Sequence, residues 1–465
     1  MIINNMNIEL TINEIKSLKD NQLSTNHNIL EQHSRGEDYY LPKLPDAVFF
    51  ANTTSDIQEV IKICAKNKTP VTAFGSGTSL EGHVLPSKGG ITIDLSNMKK
   101  ILEVNADDLD CRVESGVNRI LLNDNLKDKG LFFPVDPGAS EASIGGMTAT
   151  NASGTNAVRY GTMKNNVLGL TVVMADGSII NTGGRAKKSS AGYDLTKLFI
   201  GSEGTLGIIT EIQLKLFGIP ESISSAVCHF DTLEGAVNTS IEIVQYGLSV
   251  ARIELIDEVQ MAASIEYSKL KDIEIKPTLF FEFHGTKNST TEQAQIAEEI
   301  SKNNGGQNFK WAQKTEERNL LWKARHDAYY AALAIAPNKR AMSTDVCVPI
   351  SKLAECIIES QKDLKENNVI APMVGHVGDG NFHILMLCDP NNQNEMDMLK
   401  KINDRLVKRA LEMGGTCTGE HGIGFGKKEY LKLEHPTLIE WMQKIKKDFD
   451  PNNILNPEKI IKFPE

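Results

Sequence analysis

Organised alternation of apolar and polar positions begins near Pro45. Ile57, Val60, Ile61 and Cys64 recur at the spacing of one helix face, and Ser55 with Gln58 has the form of a capping box before it. A short apolar run, Val71 to Phe74, reads as a strand that ends in glycine, and Ile91 to Ser96 alternates as a half-buried strand does. Val167–Met174 and Ser178–Ile180 flank Asp176-Gly177, a strong hairpin signal. Residues 1–45 are weakly patterned and are expected to form an arm with a helix.

The texture changes after Pro220. Glycine thins out, helix-like stretches such as Leu233–Tyr246 and Leu320–Ala334 alternate with short strands, and a second glycine-rich region spans Val374–Gly426. The pattern predicts an α+β chain: an arm (1–45), a glycine-rich domain (46–217), a second domain (218–450) and a short closing segment (451–465).

Composition narrows the class. A chain of 465 residues, 40% hydrophobic and 24% charged, has room for two or three packed domains. A net charge of −10 and the lack of a dense Lys/Arg block argue against nucleic acid as a partner. No apolar run approaches the ~20 residues that cross a bilayer. Met1 to Glu14 lacks the basic-then-apolar pattern of a leader. The seven scattered cysteines contain no Cys-x-x-Cys pair. The expectation is a cytoplasmic protein with reduced thiols, compatible with peripheral contact at the inner face of a membrane.

Candidate chemistry starts at Gly75-Ser76-Gly77-Thr78-Ser79, directly after a strand. Such a loop presents successive backbone N–H groups to phosphate oxygens, or is an ordinary tight turn. Leu80 stands where the Rossmann fingerprint needs glycine, and no Gly-Lys-Ser/Thr follows. Two more clusters occur in the same domain. One runs from Asp136-Pro137-Gly138 through Ser140 and Gly145-Gly146 to Ser153-Gly154 and Tyr160; the other is Gly201 to Ile209. Three clusters suggest backbone lying close against a large flat ligand.

In the second domain, His376 and His383 stand seven residues apart around an Asp-Gly turn, and Glu420-His421 follows. Two imidazoles and a carboxylate suit a divalent metal, although histidines beside such a turn are often structural. Arg325 falls on a helical face with Leu321, Ala328 and Tyr329. It needs a partner there: a substrate carboxylate, or a salt bridge at the surface.

The order of the three glycine segments resembles the FAD-binding domain of the vanillyl-alcohol-oxidase (PCMH) type, in the branch of FAD-linked 2-hydroxy-acid dehydrogenases. The resemblance runs from about Pro45 to Lys459. It implies a PCMH-type FAD domain with an α+β cap, the FAD-linked oxidase C-terminal domain. It implies that Gly75 to Ser79 hold the pyrophosphate and that Asp136, Pro137, Gly138, Ser140, Gly145, Gly146, Ser153, Gly154 and Tyr160 line the dinucleotide. Glu203, Gly204 and Ile209 would follow the adenosine end and ribityl chain, with Asn456 returning to the flavin ring. Thr78 stands where relatives with covalent flavin often carry histidine, so the FAD is expected to be non-covalent.

The resemblance also implies a zinc or manganese ion on His376, His383 and Glu420, with His421 as the base that takes the hydroxyl proton while hydride leaves Cα for flavin N5. His421 could instead only orient Glu420. Arg325, Tyr329 and Asn381 would contact the substrate. Hydroxyglutarate enzymes of the family carry Thr, Lys and Asn where this chain has Tyr329, Ser343 and Leu385. A short apolar side chain fits better, as in the branch that oxidises D-lactate. Glycolate and D-2-hydroxyglutarate are the alternatives, and a non-redox FAD-containing transferase is the rival of another class. Electrons would pass to an external cytochrome, quinone or flavoprotein, and a homodimer is compatible with all of this.

Overall fold

A computed structural model describes residues 2–270 and 273–463, and the side chains among them apart from those of residues 2–6, 320 and 321. The expected Leu321 contact lies outside the described side chains. The chain divides into two compact units. One gathers residues 1–153, 162–219 and 420–465, and the other residues 154–161 and 220–419. One stretch of the first unit ends at Ile219, next to the change of texture at Pro220, and its last stretch starts at Glu420. Residues 154–161 are counted with the second unit, not with the glycine-rich domain around them.

Among the described residues the first unit holds sheets of four and five strands and a two-stranded pair, Leu131–Phe132 with Phe217–Gly218. In the first, strands Ala47–Phe50, Ile91–Asp94 and Val71–Phe74 lie parallel in that order, with Leu23–Ser24 antiparallel at the edge. Every residue of Ile91–Asp94 is buried, so the strand is covered on both faces and not half-buried as its alternation suggested. The helix Thr54–Asn67 buries Ile57, Val60, Ile61 and Cys64 as expected. Its capping box is Thr53 with Asp56, two residues before the pair the sequence suggested. The second sheet is antiparallel and contains the hairpin of Val167–Val173 and Ile179–Gly183 around Gly177, whose φ is +81°.

The helix expected in the N-terminal stretch spans Ile2–Lys19. Ile15 is fully buried in the core with Ile57 and Ile61, and Thr11 bonds Thr69 at 2.6 Å. The last segment closes this unit. Val71 N donates to Ile454 O at 2.7 Å and Asn456 N to Val71 O at 2.7 Å, so residues 454–456 run alongside the strand that precedes the first glycine loop.

The second unit is built on an antiparallel sheet in the order Gly306–Ala312, Ser222–Phe230, Thr278–Gly285, Val250–Ile256, Met373–His376, Asn381–Cys388, Arg340–Ser343. Helices Leu233–Gln245 and Lys287–Asn303 pack on it, and Leu353–Glu366 packs on the former. Arg252 pairs in register with Glu282 and Ile256 with Val374, which places Arg252, Glu254, Glu282, His284 and Val374 on one face. Their alternate residues Ile253, Leu255, Phe281 and Phe283 are buried apolar groups. The predicted helix 320–334 is two helices, Thr315–His326 and Ala328–Ala334, meeting at Asp327. Trp322 of the former lies on the charged face, its ring 5.8 Å from Phe280 and 5.3 Å from the Arg252 guanidinium.

Candidate active site

In the first unit the glycine loop leaves the end of Val71–Phe74 and is held from behind by Ser143. Ser143 N donates to Ser76 Oγ at 3.3 Å. A Cβ on Gly75 would lie 2.5 Å from Ser143 Oγ, and one on Gly145 2.5 Å from the Ser115 Cβ. These glycines are thus required by the protein's own packing. A Cβ on Gly138 meets nothing within 4 Å, so no neighbouring protein atom requires glycine there. Asp136 is buried, Pro137 half-buried, and Gly138, Ser140 and Gly146 are exposed.

A better sign of a ligand is a set of polar atoms that burial leaves unmatched. Ser79 Oγ, Ser202 Oγ and Asn456 Oδ1 are buried and make no hydrogen bond within the protein. Such groups are costly unless something else bonds them. They stand on the glycine loop, the Gly201–Ile209 segment and the closing segment. A dinucleotide rich in hydroxyls and phosphate oxygens fits that need.

Glu203 and Asn456 knit these segments. Asn456 Nδ2 donates to His83 O at 3.1 Å and Glu203 O at 2.6 Å, and both residues have positive φ, +40° and +53°. The Glu203 carboxylate accepts Ile423 N at 2.7 Å and Gly424 N at 2.8 Å. His83 Nε2 lies 3.4 Å from it. The side chain expected along the FAD thus clamps the loop that follows Glu420-His421. Gly204 has a φ of +71° and Ile209 is buried. His421 Nδ1 lies 3.9 Å from Glu81, which pairs with the buried Lys427 at 2.9 Å.

In the second unit the two imidazoles meet. Strand pairing puts Val374 opposite His383 and His376 opposite Asn381, and the rings are 5.4 Å apart at 81°. His376 Nδ1 bonds Glu254 Oε1 at 2.8 Å, and His383 Nδ1 bonds Thr344 O at 3.0 Å. Both partners are acceptors, so each Nδ1 carries a proton, and the ring in its neutral form presents a lone pair at Nε2. That is the donor arrangement a metal requires. Glu420, the carboxylate expected to join them, belongs to the segment counted with the first unit.

Arg325 is neither a surface salt bridge nor uncommitted. Its Nε and Nη2 donate to Glu254 Oε2 at 2.9 and 2.7 Å, with the Glu254 side chain 1% exposed. Burial alone pushes the Glu254 carboxyl up, but the charges of His376 and Arg325 outweigh it and hold it below the ordinary value. Asn381, expected to bind substrate, donates through Nδ2 to Asp345 Oδ1 at 2.9 Å and Val346 O at 2.8 Å. Asp345 also accepts from Thr418 Oγ1 at 2.7 Å and lies 3.6 Å from His383 Nδ1.

Tyr160, expected at the flavin, bonds His284 Nδ1 at 2.7 Å within the second unit, and His284 Nε2 bonds Glu282 at 2.8 Å. Tyr329 packs with the buried Leu385, and Ser343 is the strand partner directly opposite Leu385. The three positions named for specificity are therefore neighbours. Sequence reasoning missed Glu254, Glu282 and His284. Their signal was charge at every second position inside apolar strands, in Arg252-Ile253-Glu254 and Glu282-Phe283-His284.

This fold and these sites define a two-unit flavoenzyme. Residues 45–183 match the FAD binding domain family and residues 219–460 the family described as FAD linked oxidases, C-terminal domain. The chain belongs to the FAD-linked oxidases and is an FAD-dependent oxidoreductase. It is 48% identical to the probable D-lactate dehydrogenase, mitochondrial, of Danio rerio over 98% of this chain and 93% of that one. It is 44% identical to the D-lactate dehydrogenase [cytochrome], mitochondrial, of Arabidopsis thaliana, over 97% and 80%. Among solved structures, 4-ethylphenol oxidase from Gulosibacter chungangensis shares the fold with a TM-score of 0.81 at 19% identity, covering 99% of this chain and 98% of that one.

The expected cytoplasmic location is overturned by these relatives, which are named as mitochondrial. All seven cysteines are nevertheless free, Cys347 alone being less than fully buried. No helix among the described residues is long and apolar enough to cross a membrane.

Proposed function

We propose that the chain oxidises D-lactate, or a similar D-2-hydroxy acid with a short apolar side chain, to the 2-oxo acid and passes the electrons to a cytochrome-type acceptor. The observation that carries this reading is the pair of imidazoles whose Nδ1 positions are fixed by acceptors, beside an arginine and an apolar cluster. Two relatives named for D-lactate support it. FAD, bound non-covalently, supplies the acceptor for the electron pair that leaves the Cα–H bond. His376 and His383, with Glu420 as the resemblance implies, would hold a divalent ion, zinc or manganese, as a Lewis acid for the hydroxyl and carboxylate oxygens.

The protein's own groups do the rest. His421 takes the hydroxyl proton, as a neutral imidazole can near neutral pH. Arg325 supplies positive charge for the C1 carboxylate; Nε and Nη2 face Glu254, which limits how much of the fork a substrate engages. Tyr329, Ser343 and Leu385 bring no charge to meet a second carboxylate.

The test is anaerobic addition of a panel of D- and L-2-hydroxy acids. D-lactate should bleach the flavin absorbance, and dialysis against a chelator should slow that bleaching while FAD stays bound. Bleaching by D-2-hydroxyglutarate or glycolate in preference would replace the substrate assignment. A flavin that no 2-hydroxy acid bleaches would overturn the substrate class.

A further inference from the structure

Glu254 is fully enclosed, and each of its oxygens holds a residue that function requires. Oε1 accepts from His376 Nδ1 at 2.8 Å and Oε2 from Arg325 at 2.7 and 2.9 Å. The three residues come from separate elements, the strands Val250–Ile256 and Met373–His376 and the helix Thr315–His326. Two buried carboxylates elsewhere have simpler duties: Asp56 closes a capping box, and Asp450 holds Lys446 and the turn that leads to Leu455. Glu254 is different because both partners point to the reaction.

We propose that Glu254 is a positioning residue that sets the metal-binding edge of His376 and the orientation of Arg325 together, coupling ion affinity to recognition of the substrate carboxylate. This rests on the reading of His376 as a metal ligand. By accepting from Nδ1 the carboxylate keeps the Nε2 lone pair outward and makes that nitrogen a stronger donor. By accepting from Nε and Nη2 it fixes the plane of the guanidinium. A carboxamide cannot do both. If its oxygen faces Arg325, its NH2 faces His376, and the ring must present Nδ1 as acceptor and carry its proton on Nε2.

The experiment measures Zn2+ affinity by competition with a chelating dye, metal content by mass spectrometry after dialysis, and KM and kcat for D-lactate. Glu254→Gln should keep its FAD, lose about 10–100-fold in Zn2+ affinity and show a raised KM for D-lactate together with a lowered kcat. Arg325→Ala leaves Glu254 in place and removes one of its two partners. It should therefore shift Zn2+ affinity by roughly threefold or more, a change that an arginine serving only the substrate would not produce.

Glu254→Gln with wild-type affinity and KM overturns the proposal. If Glu254→Gln does not fold, the Arg325→Ala affinity decides alone, and an unchanged value overturns the coupling. Wild-type protein that takes up no Zn2+ or Mn2+ at all would instead overturn the metal reading beneath it.

Discussion

Asp257 caps the helix Glu258–Ser268, on which the residues around Arg325 lean. Its Oδ1 accepts from Gln260 N at 2.8 Å and Met373 N at 3.1 Å, while Gln260 donates to Ala328 O and Ser264 to Ala324 O. Burial pushes its pKa up to about 7, with the two backbone N–H donors, and Lys365, pulling only partly the other way and Glu258 adding to the rise. In the unfolded chain the group titrates near 4. The native state therefore binds more protons than the unfolded state between about pH 4 and 7, and the group's contribution to stability is complete below that window and is lost as pH rises through it.

Three pKa units correspond to about 4 kcal/mol at most, of which about 2–3 kcal/mol falls between pH 5 and pH 8. Asp257→Asn keeps an oxygen for both N–H donors and never ionises. Relative to wild type, the variant should gain about 2 kcal/mol between pH 5 and pH 8, or roughly 4–8 °C in the melting of a unit of this size. Differential scanning calorimetry of both proteins at the two pH values measures it. A difference between the two proteins that is the same at both pH values would refute the argument, because Asp257 would then be ionised in the folded state at pH 5 as well.

Acid or heat precipitation should leave the yellow colour in the supernatant, because Thr78 offers no imidazole for a flavin bond; colour retained in the pellet would contradict this. kcat/KM for D-lactate should exceed that for D-2-hydroxyglutarate by at least about a hundredfold, the scale of an unpaired charge in a closed site. Ser343→Lys with Leu385→Asn should narrow that ratio in a steady-state comparison, provided that the buried position of Leu385 tolerates the amide. Glu203→Ala strips two buried N–H donors of a charged acceptor and should cost roughly 2–4 kcal/mol. Turnover should fall more than FAD content, read by flavin absorbance against kcat.

Much of the frame was legible in the chain itself. A period-3.6 pattern marked the helix around Val60, a short apolar run marked the strand Val71–Phe74, and Asp176-Gly177 marked its hairpin, because each depends on residues only a few positions apart. The donor types at His376, His383 and Arg325 were equally visible. Local signals failed where two neighbours could do the same job: Thr53 and Ser55 both satisfy the capping pattern, and only packing of the helix selected Thr53 with Asp56.

Tertiary structure alone decided the partners. Glu254 lies 71 residues from Arg325 and 122 from His376, and nothing in a local pattern links them. The same holds for Glu203, which reaches Ile423 from 220 residues away, and for Asn456, which bonds His83 across 373. A buried charge must be matched, so the sequence announces that Glu254 needs partners. Which partners they are is fixed only when the sheet sets the strands Val250–Ile256 and Met373–His376 side by side and the helix bearing Arg325 settles over them.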